Sequence, residues 1–150
     1  MGSGPEKQEL QKLTKDFDLN NIFFFEPVSK MNMPDVVSAI DASIIPLKKL
    51  DLFKGAIPSK IFENLAMKKP ILLGVDGEAR DLFIENGKCG LFFEPENDSE
   101  LTKIILQFTE NKDLQKELGE NGRNYVEQHF NRNLIAGDFK KQLDNLLVVQ

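Results

Sequence analysis

The residues best placed for chemistry stand together in one stretch, Gly55-Ala56-Ile57-Pro58-Ser59-Lys60-Ile61-Phe62-Glu63. Proline fixes φ and is tolerated in the first helical turn, so Pro58 marks a helix start. The first amides of a helix lack intrahelical partners, which predicts unpaired N–H groups at Ser59, Lys60 and Ile61. Such amides, at the positive end of the helix dipole, form a phosphate site. The Ser59 hydroxyl and the Lys60 ammonium add two side-chain donors. Ile61, Phe62 and Leu65 read as the inner face, which turns Ser59 and Glu63, four residues apart, to another side. One turn rises ~5.4 Å, about the distance from a nucleotide's phosphates to its ribose hydroxyls. An ionised carboxylate only accepts hydrogen bonds, and its two oxygens can take both hydroxyls of a cis diol. The bland alternative is an ordinary helix start with Glu63 solvated on an exposed face.

The other candidates carry less. Gly2-Ser3-Gly4-Pro5-Glu6-Lys7 is not a dinucleotide fingerprint, because Lys7 replaces the third glycine and no strand precedes it in this sequence. It reads either as an expression scar or as a strand-to-helix turn, and both readings expect a fragment of something larger. His129 sits at a helix end, where a cation suits the dipole. Cys89 reads as a partly buried small residue before a strand. Glu78, Asp81 and Glu85, three and four apart, read as a solvated face. Gly77 precedes a second helix start, but Asp76 and Glu78 would repel phosphate there, so it is expected to border a donor sugar. A single cysteine excludes an internal disulfide and any cysteine-based zinc site, and one histidine excludes a His-rich metal centre. No catalytic residue and no metal ligand is assigned.

The elements that must position these residues alternate along the chain. Pro5 opens a helix with Leu10, Leu13 and Phe17 at helical spacing, and Asp18 to Asn21 is a turn. Ile22-Phe23-Phe24-Phe25 reads as a buried strand, Glu26-Pro27-Val28 as a loop, and Pro34 as the start of a short helix. Ala42-Ser43-Ile44-Ile45 is the next strand, stopped by Pro46. A lysine-bearing loop from Leu47 to Ile57 leads to the Pro58 helix, which ends at Lys68-Lys69-Pro70. Ile71 to Gly74 and Leu91 to Phe93 are two further strands around a helix from Glu78 to Asn86, closed by Gly87. Asn97-Asp98-Ser99-Glu100 looks like a capping box, followed by helices over 99–110, 112–129 and 132–147. Ile135, Phe139, Leu143 and Leu146 on the last of these read as packing against the core. Strand and helix alternating four times predict a doubly wound parallel α/β domain with a helical carboxy-terminal tail.

Composition fits one such domain: 150 residues, 41% hydrophobic, enough for a core without disulfides or metals. The net charge of −5, from 19 basic and 24 acidic residues, argues against nucleic acid or an anionic membrane as partner. No apolar run approaches the ~20 residues of a membrane span. The first residues lack the apolar core of a signal peptide, so a reducing, cytoplasmic setting is expected.

The stretch Ile57 to Pro70 resembles the carboxy-terminal half of a GT-B glycosyltransferase of the retaining family 4 type. Gly2 to Lys7, Gly77-Glu78, Gly87 to Gly90, Phe93 to Pro95, and Gly119-Glu120-Asn121-Gly122-Arg123 to Phe130 carry the resemblance further, so that it covers essentially the whole chain. It looks closest to the subgroup that builds bacterial surface polysaccharides. The resemblance implies a Rossmann-like domain that binds a nucleotide sugar, with Glu63 on the ribose and the amides at Ser59 and Lys60 on the diphosphate. Pro58 and Ile61 complete that helix start, Gly4 belongs to the first turn, and Val28 would pack on the base. The first acid of the family's E-x7-E pattern falls at Gly55, which leaves Lys54 and the Gly55-Ala56-Ile57 backbone as local groups near the donor sugar. The resemblance implies no cofactor, the nucleoside-diphosphate sugar being substrate. It also implies a polysaccharide or lipid-linked glycan acceptor held by an amino-terminal domain outside this chain, a peripheral place for the parent at the inner membrane, and no catalysis by the 150 residues alone. A sugar-nucleotide 2-epimerase shares the fold, but the lone His129 does not fit one. From another class, the alternative is a non-catalytic α/β interaction module with a degenerate nucleotide site.

Overall fold

The computed structural model describes residues 4–148, and the chain divides into two compact units at Val36 and Val37. Gly2 and Ser3 of the predicted first turn lie outside the described residues. In the first unit, the Lys7 N–H donates to the Gly4 carbonyl at 3.1 Å and α1 follows as Lys7–Asp16. Leu10, Leu13 and Phe17 are all exposed. Asp18, with φ 50, turns the chain as expected. The predicted strand at Ile22–Phe25 does not form: residues 22–29 are irregular, and Ile22, Phe23 and Phe25 are exposed. An apolar run becomes a strand only where another strand's edge takes its backbone hydrogen bonds, and none among the described residues does so.

A short 3₁₀ turn, Lys30–Asn32, leads into α2, Met33–Ser38, which buries Val37. The second unit is built on three parallel strands in the order β1 (Ser43–Pro46), β2 (Ile71–Gly74), β3 (Gly90–Phe92). Ile45 lies opposite Leu73, and Leu73 opposite Phe92. Pro46 has no N–H to give and closes β1, after which the Leu47 amide donates to the Gly74 carbonyl at 3.0 Å. Every residue of the central strand is buried. Side chains alternate across a strand, so Ile71 and Leu73 enter one core with Ile61, Leu65, Phe83 and Val126. Leu72 enters a second core with Phe93, Ile104, Phe108 and Leu118. A core on each face of a parallel sheet is the doubly wound arrangement the alternation predicts, on three strands rather than four.

Between the strands run α3 (Lys60–Ala66) and α4 (Glu78–Arg80). Instead of one helix to Asn86, α4 widens into a π turn over Asp81–Asn86, where the Gly87 N–H reaches the Leu82 carbonyl at 2.9 Å. Gly87 is needed for space, not for a left-handed cap: its φ is −80, and a Cβ there would lie 2.6 Å from the Cys89 Sγ. The left-handed residue is Lys88, with φ 47.

Helices α5 (Asp98–Glu110), α6 (Lys112–His129) and α7 (Arg132–Val148) complete the chain. Asn97 caps α5 by accepting from the Glu100 N–H at 3.0 Å, and Asn111 caps α6 by accepting from Leu114 at 2.9 Å. The capping box is half formed. The Glu100 carboxylate accepts from the Glu94 N–H at 2.8 Å, while the Asn97 N–H goes to the Glu94 carbonyl. The expected packing of α7 on the core is not made, since residues 131–147 are all exposed. Asn131 accepts from the Asn133 N–H at 2.9 Å and starts α7 as a new helix beyond the core.

Candidate functional site

Helix α3 is held from within. Ile61 and Leu65 are fully buried, and the Phe62 ring meets Phe83 and Phe130 edge-on at 5.5 and 5.1 Å. Its carboxyl end is closed by Arg123, whose Nη1 donates to the Ala66 carbonyl at 2.5 Å. Against that end α6 packs closely, because a Cβ at Gly122 would lie 2.7 Å from the Leu65 side chain. Anchoring of this kind leaves Ser59, Lys60 and Glu63 exposed, as the spacing predicts. None of their side chains forms a hydrogen bond or ion pair among the described residues. Ile61 departs from expectation. Its amide donates to the Pro58 carbonyl at 3.0 Å and its side chain is 0% exposed. A turn closes one residue early there, so only the amides of Ser59 and Lys60 remain as anion donors. Pro58 is half-buried. Gly55 is exposed, with nothing within 4 Å of where a Cβ would stand, so the missing acid reflects no shortage of room.

Gly4 and Val28 belong to the first unit. Gly4 lines an open, mainly apolar hollow there with Pro5, Leu10, Phe24 and Phe25, and Val28 is exposed in the irregular segment.

A second feature of the second unit was not legible in the sequence. The loops leaving the carboxyl ends of β1, β2 and β3 enclose a cleft of about 140 Å³. In open parallel sheets, ligands bind at that end of the strands. Its walls include Leu47, Phe53, Val75 and Pro95, and its rim carries Lys49, Lys54, Asp76 and Glu94. Lys49 Nζ meets Glu94 Oε1 at 2.6 Å, and Lys54 meets Asp51 at 2.8 Å. The hydrogen bond to Glu94 holds the Lys49 ammonium above its usual range, and the bond to Asp51 does the same for Lys54. Hydrogen bonding to Lys54 lowers Asp51 in turn. Lys54 also supplies its carbonyl to the Glu78 N–H at 2.8 Å. Gly77, with φ +88, makes that closeness possible, because a Cβ there would stand 2.8 Å from the Lys54 Cα.

The acidic face of α4 is not simply solvated. Arg80 Nε pairs with Glu85 at 3.0 Å and Nη1 with Asp76 at 3.4 Å, and its guanidinium lies over the Phe92 ring at 4.1 Å. Cys89 is 0% exposed, more deeply buried than expected, and burial pushes its thiol up to about 12, which makes it a poor nucleophile. His129 ends α6 with its ring 4.6 Å from Tyr125. Among the described residues, no group of three or more His, Cys, Asp or Glu side chains could hold a metal ion, and no helix is long and apolar enough to cross a membrane.

Comparison with known proteins places this geometry. Residues 1–125 match the family described as "Glycosyl transferases group 1". An uncharacterized glycosyltransferase of Methanocaldococcus jannaschii is 24% identical over 147 residues, covering 98% of this chain and 36% of that protein. Sucrose-phosphate synthase of Thermosynechococcus elongatus superposes with a TM-score of 0.78 at 18% identity, over 99% of this chain and 38% of its own. Anabaena HepE, solved in complex with UDP, gives 0.75 at 20% identity, over 92% of this chain and 36% of its own. At these identities the structures carry the fold, an α/β arrangement shared with GT-B glycosyltransferases. The chain spans little more than a third of each of these relatives.

Proposed function

The chain belongs to the group 1 glycosyl transferases, and from that premise we propose that it is the donor-binding, carboxy-terminal domain of a retaining family 4 enzyme. The observation that carries the reading is the amino-terminal turn of α3, where Ser59, Lys60 and Glu63 are exposed and unpartnered among the described residues on a helix whose other face buries Ile61 and Leu65. In this reading the Ser59 and Lys60 amides and the Lys60 ammonium meet the diphosphate, and the Glu63 carboxylate accepts from the ribose hydroxyls. The HepE complex with UDP supports a nucleoside diphosphate as the ligand class.

The parent enzyme transfers a hexosyl group to a polysaccharide or lipid-linked acceptor bound outside these 150 residues, in the cytoplasm and peripherally at the inner membrane. Its donor is a nucleotide sugar, used as substrate without a further cofactor. Transfer needs an acceptor held against the sugar carbon and charge stabilisation at the leaving diphosphate. The present chain supplies part of the second and is inactive alone. One observation favours the alternative of a degenerate, non-catalytic module: Gly55 leaves open space where the family's first acid belongs.

An NMR titration with UDP, GDP and ADP separates the two. Donor binding moves the Ser59 and Lys60 amides saturably with one diphosphate. A degenerate module shows no saturable shift with any of the three.

A further inference from the structure

We propose that the loop leaving β1 docks on an anionic lipid surface, with Leu50 and Leu52 entering the interface and Lys48 meeting headgroup phosphates. The net charge of the whole chain argues against such a surface, but that charge is unevenly spread. From Ala42 to Phe62 the sequence carries four lysines, Lys48, Lys49, Lys54 and Lys60, and one acid, Asp51. The stretch is basic within an acidic chain. Leu52 is 83% exposed, the most exposed leucine among the described residues, and Leu50, two residues away, is 52% exposed. Interfacial binding scales with the apolar area that enters the acyl boundary plus the attraction of ammonium groups to anionic headgroups. Leucines held out in water between lysines supply both terms.

The loop presents these side chains in a fixed shape. A 3₁₀ turn over Asp51–Phe53 is closed by the Phe53 N–H on the Leu50 carbonyl at 2.9 Å and the Lys54 N–H on the Asp51 carbonyl at 3.1 Å. Phe53 lines the cleft at the strand ends, and Leu52 does not. The charges are sorted as well. Asp51 is taken by Lys54 at 2.8 Å, and the carboxylates at the cleft rim are engaged, Glu94 by Lys49 at 2.6 Å and Asp76 by Arg80 at 3.4 Å. Lys48 is exposed and has no partner among the described residues, so its ammonium is left for a phosphate. A small soluble anion would use Lys48 and leave the leucines in water, whereas an anionic bilayer uses both. The long apolar face of α7 lacks this sorting, because Asp138 and Asp144 stand among its cations. Docking at this loop turns the carboxyl ends of the strands toward lipid, the side from which a lipid-linked acceptor is presented. That consequence rests on the proposed function; the docking itself does not.

The test is co-sedimentation of the 150-residue chain with vesicles of phosphatidylcholine alone, and with vesicles of three parts phosphatidylcholine to one part phosphatidylglycerol. Binding is expected to the mixed vesicles only, and to weaken as salt is added. Leu52→Ser lowers that affinity on the order of 10-fold, and Lys48→Gln lowers it about 5-fold. Both side chains are exposed, and an unchanged thermal midpoint shows that the fold persists. Leu106→Ser, on α5 at a leucine 54% exposed, keeps the original affinity. No binding to the mixed vesicles, or equal binding to both kinds, overturns the proposal. So does an unchanged affinity in Leu52→Ser: with binding lost in Phe139→Ser instead, α7 is the lipid face, and with binding weakened only in Lys48→Gln, the loop is a site for a polyanion and not for lipid. Titration with UDP, GDP and ADP is read separately. Vesicle binding without diphosphate binding removes the donor-site reading alone, and diphosphate binding without vesicle binding removes this docking alone.

Discussion

Glu63 and Gly55 show how much of the site one helix can encode. Spacing alone places Ser59 and Glu63 outward, because Ile61 and Leu65 must be inward, and both carry no partner among the described residues. The pairing of the Ile61 amide with Pro58 was hidden, since an early turn depends on φ and ψ at Ser59 and not on residue type. The cleft was hidden for a different reason: Lys49, Asp76 and Glu94 come from three loops that only the sheet brings together. Because nothing crowds Gly55, a Gly55→Glu variant is expected to fold with unchanged thermal stability and to raise affinity for a sugar nucleotide relative to its diphosphate. Paired calorimetric titrations check this. At Cys89 the folded-state thiol lies near 12 against a reference of 9.0. Between those values only the unfolded chain loses the proton, so stability that is complete below about pH 9 declines as pH rises toward about 12. Urea unfolding at about pH 8 and about pH 10.5 measures this, and the part of the decline due to the thiol disappears in Cys89→Ala.

Elements were legible where their signals are local. The helices from Asp98 onward begin at asparagine caps that can be seen in the sequence, and Asn97→Ala is expected to cost about 1 kcal/mol, read as a lower urea midpoint with an unchanged slope. Pairing is not local, and the Ile22–Phe25 run shows it. Four apolar residues look like a strand, yet no edge among the described residues receives them. The π turn at Asp81–Asn86 was equally hidden, because the crowding of Gly87 against Cys89 and Tyr125 exists only after folding. Gly77 is the element-scale residue on which the cleft depends. Its φ of +88 and its approach to the Lys54 backbone exclude a Cβ, so Gly77→Ala is expected to cost on the order of 1–3 kcal/mol. Thermal unfolding measures that loss, and NMR shifts around Lys54 report the displaced loop.

Taken whole, the second unit is a sheet with a core on each face, and Phe83 ties one of them together through Phe62, Tyr125 and Phe130. Phe83→Ala is expected to cost about 3–5 kcal/mol and to abolish ligand binding along with the fold. Glu63→Ala, on the exposed face, touches neither core, and in the proposed reading it removes only a contact to ligand. The central claim is that α3 presents a nucleoside-diphosphate site, and calorimetric titration of the unmodified chain and of Glu63→Ala with UDP, GDP and ADP tests it most directly. Loss of one charged hydrogen-bonding group is expected to cost on the order of 1.5–3 kcal/mol, roughly 10–150-fold in affinity. Saturable binding of one diphosphate, weakened by that factor in the variant, is the predicted result. Equal affinity in both proteins, or no binding of any diphosphate by either, contradicts it.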